Sequence, residues 1–304
     1  MIINQKIPIH FSDGIELYLK REDQNHPIIS GNKYRKLFYN IQEAKKLGKK
    51  GLLTFGGAFS NHIHATAGAG LAYGFKTIGI IRGDELDNKI SENSTLLDAQ
   101  TMGMELQFMN REDYRNKHNP LFLRELQQKY PDYYILPEGG TNMLAIKGCE
   151  EILTPNDTIF NYICCAVGTG GTLAGIINSR DNHQKIIGFP ALKENFLETE
   201  IEKYTSKNNY SLCRVYNFGG YGKITDELIQ FLNEFYEQTH IPLDPIYTGK
   251  MIFGIFALIK QNYFPKNSKI LAIHTGGLQG IAGVNTILKQ KNKPILLYDK
   301  IYKK

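Results

Sequence analysis

The chain has 304 residues, 42% hydrophobic and 22% charged, the proportions of a globular enzyme able to bury one long core or two smaller ones. Its formal charge of +6 comes partly from Lys289, Lys291, Lys293, Lys300, Lys303 and Lys304; without an aromatic-interleaved basic stripe this reads as a solvated tail, so nucleic acid is not an expected partner. Four cysteines without C-x-x-C spacing, a polar start without an apolar leader, and no membrane-length apolar run predict a soluble, cytoplasmic chain with no membrane partner.

The first informative segment is residues 30–37, Ser-Gly-Asn-Lys-Tyr-Arg-Lys-Leu. Gly31 and Asn32 tolerate unusual backbone dihedrals, which places Lys33 in a turn directly before an amphipathic helix predicted over 34–47. Taken alone, such a lysine is an ordinary solvated helix-start residue. An apolar strand over 52–55 then runs into Gly56-Gly57-Ala58-Phe59-Ser60-Asn61-His62 and a helix over 61–73. Ser60 and Asn61 are good helix caps. They also suit a ligand, the Ser60 hydroxyl and nearby amides meeting a substrate carboxylate and the Asn61 amide a cofactor oxygen. His62 and His64, two residues apart, point to different sides of that helix and make a poor metal pair; no metal is expected.

The alternation continues with strands over 77–81, 104–109 and 133–136 and helices over 92–103, 121–130 and 142–153. A strand over 162–167 holds Cys164 and Cys165 as buried small hydrophobes and ends in Gly168-Thr169-Gly170-Gly171-Thr172. That turn offers consecutive backbone N–H groups at a helix N-terminus, with two threonine hydroxyls as further donors, a good phosphate cup. It is a poor dinucleotide fingerprint, because Leu173 stands where a third glycine belongs. Strands over 186–189, 212–216 and 270–273 and helices over 224–238 and 248–261 complete the pattern. Strand alternating with helix predicts an α/β fold of open parallel sheets. Gly-rich turns after Phe55, Val167 and His274 are too distant for one loop and predict a cleft between two such domains. An amine nucleophile with two anion-binding turns suggests a phosphorylated aldehyde cofactor.

Six strings occur in order: residues 30–37; Ser60-Asn61-His62; Pro137-Glu-Gly-Gly-Thr-Asn; Val167-Gly-Thr-Gly-Gly-Thr; Asp244-Pro-Ile-Tyr-Thr-Gly-Lys; and His274-Thr-Gly-Gly-Leu. Together they resemble the pyridoxal-phosphate-dependent family of D-cysteine desulfhydrases and 1-aminocyclopropane-1-carboxylate deaminases, a branch of the tryptophan-synthase-β-like (fold type II) enzymes. The resemblance implies a large cofactor-binding domain of residues 1–40 and 145–304, a small domain of 41–144, the cofactor in the cleft between them, a small amino-acid substrate, and a homodimer. By the same resemblance Lys33 forms the Schiff base with pyridoxal 5'-phosphate, Lys36 lies near the phosphate, Asn61 bonds the ring hydroxyl, and Gly168, Thr169, Gly170, Gly171 and Thr172 hold the phosphate. Ser60 contacts the substrate carboxylate and relays protons, while Tyr221 and Tyr247 flank the substrate.

Thr248 and Thr275 choose between the activities, since family deaminases carry Glu and Leu there and desulfhydrase-like members carry hydroxyls. The implied reaction is therefore α,β-elimination of D-cysteine to pyruvate, hydrogen sulfide and ammonia. The alternatives are 1-aminocyclopropane-1-carboxylate deamination to 2-oxobutanoate, and a non-catalytic cofactor- or amino-acid-binding protein. Phe59, His64 and Lys223-Ile224 depart from the family pattern around the substrate.

Overall fold

The computed structural model of the chain describes residues 2–192 and 196–298, so Lys300, Lys303 and Lys304 of the basic tail lie outside the described residues. The chain divides into two compact units. One contains Met1–Asn25, Ser30–Asn32 and Cys149–Lys304, the other His26–Ile29 and Lys33–Gly148. The resemblance implies a first domain that also holds residues 26–29, 33–40 and 145–148, which the structure groups with the second unit.

The first unit begins with β1 (Asn4–Lys6) and β2 (Glu16–Lys20), paired antiparallel. The chain then enters the second unit through α1 (Asn32–Lys46) and alternates through β3 (Gly51–Gly56), α2 (Asn61–Tyr73), β4 (Lys76–Arg82), α3 (Ser94–Thr101), β5 (Met104–Met109), α4 (Pro120–Lys129), β6 (Tyr133–Ile135) and α5 (Met143–Glu150). These four strands form a wholly parallel sheet in the order β5-β4-β3-β6. Every residue of β3 is buried, because parallel strands joined by helical crossovers are covered on both faces. Leu52 packs with Leu37, Ile41 and Ala65 on one side, and Leu53 and Phe55 with Ile78, Ile80 and Tyr114 on the other. Alternate residues of one strand thus feed two cores, each buried leucine or isoleucine contributing roughly 1.5–3 kcal/mol.

Returning to the first unit, the chain forms β7 (Tyr162–Val167), α6 (Gly171–Ser179), β8 (Lys185–Pro190), α7 (Leu197–Glu202), β9 (Tyr210–Leu212), α8 (Asp226–Thr239), α9 (Thr248–Lys260), β10 (Lys269–Ile273) and α10 (Ile281–Gln290). The sheet order is β1-β2-β10-β7-β8-β9, parallel throughout except at the β1–β2 edge. Cys164 and Cys165, in central β7, are fully buried as expected. Leu228, Leu232 and Phe235 of α8 and Met251, Ile252 and Ile255 of α9 supply much of the core beneath.

The architecture is the predicted α/β one. One strand is corrected: the apolar run 212–216 is not a strand, the edge strand being Tyr210–Leu212. After Cys213 donates its N–H to the Gly188 carbonyl, the Asn217 side chain bonds the Arg214 carbonyl and the chain turns away from the edge. No helix among the described residues is long and apolar enough to cross a membrane.

Candidate active site

In the second unit the predicted residues gather around α1, the turn into α2 and the turn at 138–141. Lys33 and Lys36 both lie on the first turns of α1, and both amines donate to the same acceptor, the Gly139 carbonyl, each at 3.1 Å. Three residues apart on a helix, they occupy neighbouring positions on one face. Lys36 is buried and donates also to the Thr141 hydroxyl at 2.8 Å. A Lys33 amine in its neutral form is the form that attacks an aldehyde.

Ser60 is the N-cap of α2. Its hydroxyl oxygen accepts the N–H groups of His62 and Ile63 at 3.2 and 3.3 Å, so the capping role read from the sequence is present. Asn61 opens the helix beside it. His62 is 1% exposed, and neither of its ring nitrogens has a hydrogen-bond partner. A Cβ on Gly140 would come within 2.7 Å of its ring, so glycine there is what admits the imidazole to the turn that carries the lysines' acceptor. Burial first, then the charges of Lys33 and Lys36, push the His62 imidazole well below its ordinary range and keep it neutral.

A stability prediction follows from that neutral ring. In the unfolded chain His62 takes a proton below about pH 6.5, whereas folded His62 refuses it until much lower pH, so the unfolded state binds more protons in that window. Stability present above pH 6.5 is therefore lost as the pH falls. Relative to His62→Gln, the wild type should lose about 1.4 kcal/mol per pH unit below pH 6.5. Urea unfolding at pH 7.5, 6.5 and 5.5 tests this, and parallel curves for the two proteins would refute it.

In the first unit the turn from β7 into α6 forms the expected cup. Gly170, the N-cap, has φ of 84° in the left-handed region, and a Cβ there would press within 2.9 Å of Ile201. The first N–H groups of α6 have no carbonyl in their own helix to meet, which is the condition for holding a phosphate. A Cβ on Gly168 would lie 3.3 Å from the Tyr247 ring, so that ring stands directly over the cup. Tyr221 is 6.1 Å from Tyr247 between ring centroids. The two tyrosines, 26 residues apart in sequence, are thus neighbours in the fold.

Thr248 and Thr275 are also brought together, their hydroxyl oxygens 3.3 Å apart and both buried. Asn32 reaches two of these loops, donating its N–H to the Thr275 carbonyl at 3.2 Å and its side-chain amide to the Thr172 hydroxyl at 2.8 Å. Gly31 is obligatory here: its φ is +72°, and a Cβ would stand 2.0 Å from the Thr275 carbonyl oxygen. His274 fixes the same turn. Its Nδ1 accepts the Gly276 N–H, so Nε2 carries the proton that goes to the Pro242 carbonyl at 2.8 Å.

Each unit by itself offers donors of the kind that pyridoxal phosphate uses: the first a helix N-terminus that suits a phosphate and hydroxyls that suit a ring nitrogen, the second an amine that suits an aldehyde. Sequence reasoning did not select Asn32, Gly139, Thr141, Asp244 or Lys250. All but Asn32 lie inside the quoted strings 137–142 and 244–250, and Asn32 lies in 30–37, so the strings themselves were the signal. Among the described residues no group of three or more His, Cys, Asp or Glu side chains is placed to hold a metal ion.

A model of the family described as pyridoxal-phosphate dependent enzyme matches residues 5–276. The chain is 31% identical to a Thermotoga maritima protein provisionally named 1-aminocyclopropane-1-carboxylate deaminase, over 88% of this chain and 90% of that one. It is 29% identical to the mitochondrial bifunctional D-cysteine desulfhydrase/1-aminocyclopropane-1-carboxylate deaminase of Arabidopsis thaliana, over 90% of this chain and 77% of that one. A crystal structure described as an ACC deaminase homologue superposes with a TM-score of 0.79 at 27% identity, covering 95% of this chain and 92% of that one.

Proposed function

The chain belongs to the family of pyridoxal-phosphate-dependent enzymes, and from that premise we propose that it is a lyase converting D-cysteine and water to pyruvate, hydrogen sulfide and ammonia. The observation that carries the choice of substrate is the buried pair of hydroxyls of Thr248 and Thr275. A carboxylate at position 248 would keep a ring nitrogen protonated and make a strong electron sink. A threonine hydroxyl donates to an unprotonated nitrogen instead, which is milder and suffices when a good leaving group such as thiolate sits on Cβ. The one carboxylate in this segment, Asp244, is already occupied by the backbone N–H groups of residues 246–248.

When bound, pyridoxal phosphate supplies the electron-withdrawing ring that carries charge released at the substrate's Cα. In this reading Lys33 holds it through the amine, Gly168–Thr172 hold its phosphate, Lys36 adds a positive charge near that phosphate, and Asn61 bonds its ring hydroxyl. The Ser60 hydroxyl, which accepts the N–H groups of His62 and Ile63, keeps its own O–H to donate to the substrate carboxylate, which fixes the direction of the Cα–H bond. The Lys33 amine would take the Cα proton, and Ser60 would relay a proton to the departing sulfur. Tyr221 and Tyr247 form the walls against the side chain and exclude water from it.

The recurrence of the name 1-aminocyclopropane-1-carboxylate deaminase among relatives favours a second reading, in which the same residues open the cyclopropane amino acid to 2-oxobutanoate and ammonia. Ammonia does not separate the two. The cofactor-loaded protein is offered each substrate, and sulfide, pyruvate and 2-oxobutanoate are measured. Sulfide and pyruvate in equal amounts from D-cysteine, with little 2-oxobutanoate, is the expected result; 2-oxobutanoate as the faster product would replace it with the second reading.

A further inference from the structure

Lys250 stands near the start of α9, 3% exposed, and its ammonium donates to the main-chain carbonyls of Asn217 and Gly220, each at 2.9 Å. Burial lowers this amine to about 8, the Asp244 carboxylate acting in the opposite sense. Burying an ammonium is costly unless it is hydrogen-bonded, so its two acceptors are the place to look for its use.

Those acceptors belong to an unusual stretch of backbone. Phe218, Gly219, Gly220 and Gly222 all have positive φ, of 54°, 94°, 113° and 70°. For Phe218 this is a strained conformation that its surroundings must enforce. Asn217 closes the turn on itself, its side chain accepting the Gly219 N–H and donating to the Arg214 carbonyl. The loop is fixed to α9 at two points: the Phe218 ring meets Phe253 edge-on at 4.9 Å, and Lys250 grips the carbonyls of Asn217 and Gly220. The next residue is Tyr221. The residue immediately before α9 is Tyr247. One helix therefore presents one tyrosine directly and holds the other through Lys250.

We propose that Lys250 is a positioning residue that sets the distance of Tyr221 from Tyr247 and thereby the fit of the substrate side chain. This rests on the reading above that the two tyrosines flank the substrate. A methionine would fill the space but leave the two carbonyls with only the N–H groups of Gly220 and Lys223 as donors. An arginine could still donate to both.

The test compares the cofactor-loaded wild type, Lys250→Met and Lys250→Arg by amide hydrogen exchange and by steady-state kinetics with D-cysteine. In Lys250→Met the amides of Gly220 and Lys223, which donate to the carbonyls that Lys250 holds, should exchange at least about 10-fold faster, while β7 and α6 keep their protection. KM should rise about 10–100-fold with kcat within about 3-fold, and Lys250→Arg should recover most of both effects. Unchanged exchange in the 217–223 segment would overturn the proposal, as would a fall in kcat at constant KM or a loss of protection throughout the protein. If the wild type does not turn over D-cysteine, the substrate reading fails, and the exchange comparison by itself still decides whether Lys250 holds this loop. Should Lys250→Met not load cofactor, Lys250→Gln takes its place in the same comparison.

Discussion

Lys33→Ala should release sulfide and keto acid at least about a thousand-fold more slowly than the wild type, and should lack the yellow colour of the loaded enzyme. Both losses come from one atom, because the reading gives the Lys33 amine two duties: holding the cofactor and taking the Cα proton. The fold has little reason to change. Alanine is the best helix former, and the position lies in the first turn of α1. The Gly139 carbonyl keeps the Lys36 ammonium as a donor when Lys33 is removed. The turn that presents residue 33 is built by Gly31 and Asn32 against the Thr275 carbonyl and does not use the lysine side chain. The thermal midpoint should therefore stay within a few degrees. Retention of more than about a tenth of the turnover by Lys33→Ala would remove this lysine from the reaction.

Lys36 supplies the contrast. It is almost fully buried, whereas Lys33 is only partly so. It donates to both Gly139 and Thr141; on its removal the Gly139 carbonyl keeps Lys33 as a donor, while the Thr141 hydroxyl loses an ammonium donor. The two lysines share a carbonyl and a helix face, but Lys36 is the more deeply buried of the two.

The acceptor that Lys33 and Lys36 share was not legible in the sequence, where the two stand in one short string, and the reason is physical. Their shared partner is a main-chain carbonyl, and carbonyls have no side-chain signature. The same holds for Lys250, whose acceptors are the carbonyls of Asn217 and Gly220. What periodicity and end signals control was legible. The predicted bounds of α2 coincide with the observed Asn61–Tyr73, because Ser60 caps one end and Gly74, at φ of 75°, closes the other. Those of β5 and β7 coincide because each apolar run is bounded by residues that leave the ladder. The β1–β2 edge was missed: Asn4-Gln5-Lys6 is wholly polar, and the alternation of Leu17 and Leu19 with polar residues in β2 is only five residues long. The run 212–216 misled because Cys213 and Tyr216 pack on the core from a turn, with Val215 exposed between them, and such a run reads the same as a strand.

Asp244→Ala should lower the free energy of unfolding by about 3 kcal/mol and raise KM as well, although Asp244 is not among the residues assigned to the substrate. The carboxylate is buried, and it accepts the N–H groups of Ile246 and Tyr247 on one oxygen, at 3.0 and 2.7 Å, and of Thr248 on the other, at 2.8 Å. These are charge-assisted bonds at the positive end of α9, where both the orphan donors and the helix dipole favour an anion. Alanine would leave three donors without acceptors in a place that water reaches poorly, whereas Asp244→Asn keeps one oxygen and should lose only about half as much. The effect on KM arises because the residues being held are Tyr247, which stands over the phosphate cup, and Thr248, whose hydroxyl faces Thr275. Urea unfolding and KM for D-cysteine should therefore move together in the order wild type, Asp244→Asn, Asp244→Ala. A stability loss of 3 kcal/mol with KM unchanged would mean that the two side chains keep their places without this cap, and the positions of Tyr247 and Thr248 would then have to be ascribed to the packing of α9 on the sheet.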